Sequence, residues 1–137
     1  MFVGEEAGGA AGFSSSAGDI HVVDISSLAE PREVAFFNVS GAGTHNFSVD
    51  EARGILYAAY YNAGIQALDV RGDLGNCTAA QKASDGRCDM RLMHRLMGEG
   101  LRDQTRPVFA WGVRYLDGVV YASDMLNGLW KLGALSR

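Results

Sequence analysis

Short stretches of alternating apolar and polar residues recur along this chain and set its element pattern. In "HNFSVD" (45–50) Phe47 and Val49 fall on one side, and in "VFAWGVRY" (108–115) Trp111 and Val113 do the same. A period of two predicts strands with one covered face. The stretch "GILYAAYYNAGIQALDV" (54–70) does not alternate: it is almost wholly apolar, carries no charge before Asp69, and is broken only by Asn62-Ala63-Gly64. It is too short and too polar for a membrane-spanning helix, which needs about 20 apolar residues. A buried helix would have to carry Gly64 in mid-run and a Tyr-, Ile- and Val-rich composition, both poor for helices and good for strands. The stretch therefore reads as two strands joined by a tight turn, "ILYAAYY" and "IQALDV", each covered on both faces.

The same pattern occurs again. A shift of 64 sets residues 45–70 on 109–134 without a gap, matching Val49 to Val113, Gly54 to Gly118, Tyr57 to Tyr121, Ala58 to Ala122, Gly64 to Gly128 and Leu68 to Leu132, with Phe47 on Trp111. A shift of 45 sets "DIHVVDI" (19–25) on "GIQALDV" (64–70). The polar, Cys-containing stretch after Val70 accounts for the difference between the shifts, so the unit is about 45 residues and its middle copy carries an insertion at 71–90. A unit of this length made of short strands predicts a four-stranded meander of the propeller-blade kind. Its first strand is "HNFSVD" or "VFAWGVRY", its second "ILYAAYY" or "VVYASD", and its third "IQALDV" or "LWKLGA". The fourth is "REVAFFNV" (32–39) in the first unit and "RLMHRLM" (91–97) in the second, where a helical turn and a half is the alternative. Asn127-Gly128 is expected to supply a two-residue hairpin turn.

The fold expected is all-β, an incomplete β-propeller of roughly two to three four-stranded antiparallel blades, since complete rings have about four to eight. Residues 1–137 form a single domain with blade parts 1–41, 42–104 and 105–137. The strand count suggests a piece of a longer protein or one that associates to cover its open faces, with the remaining blades or further copies of itself as partners. Eighteen Gly against two Pro suit many tight turns.

The second and third strands, "LYAAYYNAGIQALDV" and "IHVVDISSLAEP", resemble the LVIVD-repeat family of bacterial and archaeal β-propellers. In that family a Tyr-Val-Ala-like strand, a Gly-containing turn and an apolar strand ending in Val-Asp-Ile/Val-Ser recur. "VVDISSLAEP" follows the pattern, "ALDVRGDLGN" leaves it after Val70, and "WKLGALSR" lacks the Asp. The resemblance implies a propeller, commonly exported or surface-attached, and brings no catalytic residues with it. The full-length protein is accordingly expected outside the cytoplasm, although "MFVGEE" carries no signal-peptide pattern.

Charge narrows the partners. The net charge is −4, which gives no basic face of the kind nucleic acids need. Residues 71–106 hold Arg71, Lys82, Arg87, Arg91, Arg95, Arg102 and Arg106, interspersed with acids as in a solvated loop. Cys77 and Cys88 either close this loop as a disulfide, as an oxidising compartment permits, or stay as free thiols; their spacing is not that of a zinc finger. Dinucleotide, phosphate-loop, zinc-protease and serine-elbow motifs are absent, and "RGD" (71–73) is short enough to arise by chance.

Topology points to a site where motifs do not. In a blade meander the fourth-to-first and second-to-third connections share one end. That end gathers Glu5, Glu6, the Gly/Ser-rich loop 7–18, His45, Asn46, Tyr60, Tyr61 and Asp124. Loops converging on a rigid scaffold make binding sites. Carboxylates with an imidazole would suit a divalent metal ion or a cationic group on a protein or small ligand. The expected role is a non-catalytic binding scaffold, and the alternative is a metal-binding or enzymatic propeller using that acidic and His-bearing end.

Overall fold

The computed structural model describes residues 1–8, 16–102 and 105–135. Its elements are β1 (Phe2–Gly4), β2 (Ala7–Gly8), β3 (Ser16–Ala17), β4 (Ile20–Asp24), β5 (Arg32–Phe37), β6 (Phe47–Asp50), β7 (Ile55–Ala59), β8 (Ile65–Asp69), β9 (Cys88–Asp89), β10 (Leu96–Gly100), β11 (Ala110–Leu116), β12 (Val119–Asp124) and β13 (Gly128–Gly133). A single 3-10 turn at Ala79–Gln81 is the one helical element among the described residues, and no helix is long and apolar enough to cross a membrane. The chain is all-β. Three open sheets are ordered β1-β4-β5-β9, β6-β7-β8-β10 and β11-β12-β13, and β2 and β3 form a separate small hairpin between β1 and β4.

The sheets stack face on face through two cores. Ile20, Ala35 and Phe37 of the first sheet meet Leu56, Ala58, Tyr60 and Leu68 from the middle one. Ile55, Tyr57, Ala59, Ile65 and Ala67, on the opposite face of the middle sheet, meet Val120, Ala122 and Leu132 of the third. Alternate residues of β7 thus enter different cores, and every one of its five residues is buried. This is why residues 54–70 show no alternation: both sides of the strand are inside. The hairpin turn there needs Gly64, whose φ is +71° and where a Cβ would stand 2.2 Å from the Gly100 carbonyl oxygen.

The repeat is borne out in the second and third strands. Ile55 pairs with Asp69 and Ala59 with Ile65; Val119 pairs with Gly133 and Ser123 with Leu129, the same register at a shift of 64. The first strand differs. Asp50 pairs with Ile55 across a four-residue turn, whereas Leu116 pairs with Val119 across Asp117-Gly118. Both residues of that tighter turn have positive φ, +47° and +80°, as a twisted two-residue hairpin requires. The partner of Val120 is therefore Tyr115, where gap-free alignment puts Val113.

Two further expectations are corrected. Asn127-Gly128 does not form a two-residue turn, because Asp124 pairs directly with Gly128. The Asp124 carboxylate takes the Leu126 N–H at 2.9 Å and so shapes a three-residue loop. "RLMHRLM" is not the fourth strand throughout: Asp89 accepts the Arg91 N–H at 2.8 Å, the chain turns through His94 at φ +56°, and pairing starts only at Leu96.

The insertion docks on the neighbouring sheet. Its strand β9 pairs in parallel with β5, Ala35 to Cys88 and Phe36 to Asp89, and contributes Leu74, Cys88 and Met90 to the first core. Cys77 and Cys88 form a disulfide, and among the described residues there is no free cysteine.

Candidate functional site

Strand direction brings residues 5–8, 16–19, 38–46, 60–64, 101–102, 105–109 and 125–127 to one end of the stacked sheets. Residues 9–15 and 103–104 lie outside the described residues. The end is built from the edge where the middle and third sheets meet. Tyr61 and Ala110 exchange two backbone hydrogen bonds of 2.9 Å, which tie the second-to-third connection of one sheet to the first strand of the next. The side chain of Tyr61 packs on Phe109, with ring centroids 4.4 Å apart.

Glu5 and Glu6 leave β1 in succession and turn to different partners. The Glu6 carboxylate accepts a hydrogen bond from the Tyr61 hydroxyl and lies 3.7 Å from His45 Nε2. The His45 ring stands edge-on to Tyr61 at 5.5 Å and tilted against Trp111 at 6.0 Å. Burial, reinforced by the Glu6 carboxylate, raises the Tyr61 phenol above its ordinary pKa, so it stays a donor. His45 Nδ1 is buried without a hydrogen-bond partner.

Glu5 instead lies 3.5 Å from His21 Nε2, while His21 Nδ1 meets Glu33 at 2.7 Å. Glu33 also pairs with Arg87 of the insertion. His21 is thus set between two carboxylates, one from the loop end and one from β5. In Glu33, burial opposes ionisation, but the hydrogen bonds from His21 and Arg87 outweigh it and hold the carboxyl below its usual range.

The remaining sequence candidates serve the fold. The Tyr60 hydroxyl sits 2.7 Å from the Gly18 carbonyl oxygen and 3.3 Å from that of Phe37, so it fastens the middle sheet to the first; burial raises its pKa. The Asn46 carbonyl accepts the Ala59 N–H at 2.9 Å, and Asn46 lines a shallow depression with Gly112 and Tyr121. Asp124 is buried and saturated: it accepts from the backbone of Phe109 and Leu126 and from the side chains of Asn127 and Trp130. Burial pushes its pKa up, but these donors outweigh it and keep the carboxyl below the ordinary value.

The end therefore brings together Glu6, His45 and Tyr61, with Phe109 and Trp111 beside them, and sets Glu5 with His21. It leaves Tyr60 and Asp124 in structural roles. Among the described residues no three His, Cys, Asp or Glu side chains are grouped so as to hold a metal ion. Sequence reading missed His21, Glu33, Phe109 and Trp111 as members of this end. Their contacts cross sheets, and the available signal was the placement of Phe109 and Trp111 beside a fourth-to-first connection. What the arrangement offers is a pair of carboxylates, each set against an imidazole, beside exposed aromatic surface, with Trp111 43% accessible. No protein-family model, no curated protein and no solved structure matches this chain.

Proposed function

We propose that the chain is a run of β-propeller blades of the LVIVD-repeat kind, acting as a non-catalytic binding scaffold within a longer exported or surface protein. The observation that carries this reading is the common register of β7 with β8 and of β12 with β13 at one fixed shift, in sheets that stack face on face through apolar cores. Repeated units of this kind bury their faces only against neighbours. The outer face of the third sheet leaves Leu129 75% accessible, where a further blade from the same chain or from another copy would cover it. The recognition face is the end bearing Glu5, Glu6, His45, Tyr61 and Trp111, and its carboxylates beside aromatic rings suit a cationic group on a protein or small ligand.

Light scattering on the 137-residue chain, with a thermal melt, tests the reading. A discrete dimer or trimer melting cooperatively supports ring completion by copies. A heterogeneous or non-cooperative sample supports completion by blades of a longer chain. A cooperative monomer with a concentration-independent melt overturns it, because such a chain needs no further blade.

A further inference from the structure

The two cores differ at one repeat-equivalent position. Phe37 ends β5 and pairs with Ile20; Gly100 ends β10 and pairs with Ile65, which is Ile20's counterpart. Phe37 is fully buried in the first core. Between the middle and third sheets the ring is missing, and there a half-open, mainly apolar cavity of about 230 Å³ is lined by Tyr57, Ala67, Glu99, Gly100, Leu132 and Leu135, among others. Nor does an insertion reach this gap to fill it, as Met90 helps to do in the first core.

The cavity also contains an unanswered donor. Tyr57 is 2% accessible and its hydroxyl proton finds no acceptor, although the Leu135 backbone lies close enough to favour the phenolate. The neighbouring Leu135 carbonyl is engaged by Arg53 Nη1 at 2.5 Å. Burial raises the Tyr57 pKa, so the phenol keeps its proton. Buried polar groups in folded proteins are almost always paired, by protein, water or ligand.

We propose that this cavity binds a small neutral molecule with an apolar body and one hydrogen-bond acceptor, such as an aryl ketone or ester, its acceptor oxygen taking the Tyr57 hydroxyl proton. An apolar cavity of about 150 Å³ accommodates benzene, and the larger volume here suits about nine heavy atoms by the same ratio. The inference rests on the packing of two sheets within one chain and not on the completion of a ring.

The test uses acetophenone and isopropylbenzene, matched in size, with only the first carrying an acceptor. Binding to the 137-residue chain is followed by methyl NMR of Ala67, Val120 and Leu132. Acetophenone is expected to bind about tenfold more tightly than isopropylbenzene, the worth of one buried hydrogen bond. Tyr57→Phe should abolish that preference while leaving isopropylbenzene affinity unchanged. Gly100→Phe, which puts back the missing ring, should abolish binding of both probes; Ala67→Val serves if that variant does not fold. Failure of both probes to bind, persistence of the preference in Tyr57→Phe, or binding that survives the filled variants overturns the proposal.

Discussion

The middle and third sheets share a repeat, yet the same positions meet different surroundings. Ile65 of β8 is 3% accessible, and its counterpart Leu129 of β13 is 75% accessible. Ala67 is buried while its counterpart Lys131 is exposed. The middle sheet lies between two others, and the third is covered on one side only. Burial here follows a strand's neighbours more than its own sequence: the repeat fixes the register, and the stacking decides what each side chain contributes.

That contrast can be tested at matched positions. Ile65→Ala should cost about 2–5 kcal/mol, the range for truncating a buried aliphatic side chain. Leu129→Ala should stay within about 0.5 kcal/mol. Denaturant melts of both variants measure the difference, and equal losses would mean that the third sheet is covered in solution. Next in size is the insertion that only the middle sheet carries. Removing the Cys77–Cys88 disulfide by Cys77→Ser and Cys88→Ser should cost about 2–3 kcal/mol, as expected for a loop of this length. Hydrogen exchange should quicken at Met90, whose N–H bonds the Phe36 carbonyl at 2.9 Å, and remain unchanged in β12 and β13.

The smallest effect concerns Asp69, which the third sheet replaces with Gly133. Hydrogen bonds from Arg71, working against burial, lower the Asp69 pKa from 3.8 to about 2. A carboxylate depressed in the folded state contributes fully above its unfolded pKa, and the contribution is lost as pH falls from 3.8 through 2. Asp69→Asn should therefore cost about 1–2 kcal/mol at pH 7, after allowance for the half-exposed Arg71. The gap to the wild-type chain should close below pH 2 in melts across pH; a constant gap would assign the loss to packing.

Much of the strand layout was legible because it is local. The turn at Gly64, the apolar runs of β7 and β8 and their echo in β12 and β13 depend on neighbours along the chain. What could not be read depends on distant ones. The pairing of β9 with β5 has no periodicity to reveal it over two residues. The shifted register of β11 follows from turn length at Asp117-Gly118, which an alignment without gaps cannot display. At the candidate site, topology points to Glu6, His45 and Tyr61, and these do come together. The same topology points to Asp124, but its carboxylate is taken up by donors from Phe109, Leu126, Asn127 and Trp130.

The parallel pairing of β5 with β9 also bears on the order of folding. The outer strand of the first sheet is completed by residues that follow most of the middle sheet in the chain, so the first sheet cannot close until β8 and the insertion have been made. Contacts of such long sequence separation slow folding. They also make the first two sheets a single cooperative unit, whereas the third exchanges no strand with its neighbour and is joined to it by one shared core, the Tyr61–Ala110 bond pair and the Arg53–Leu135 contact. Partial unfolding should begin at β13 and stop at the middle sheet.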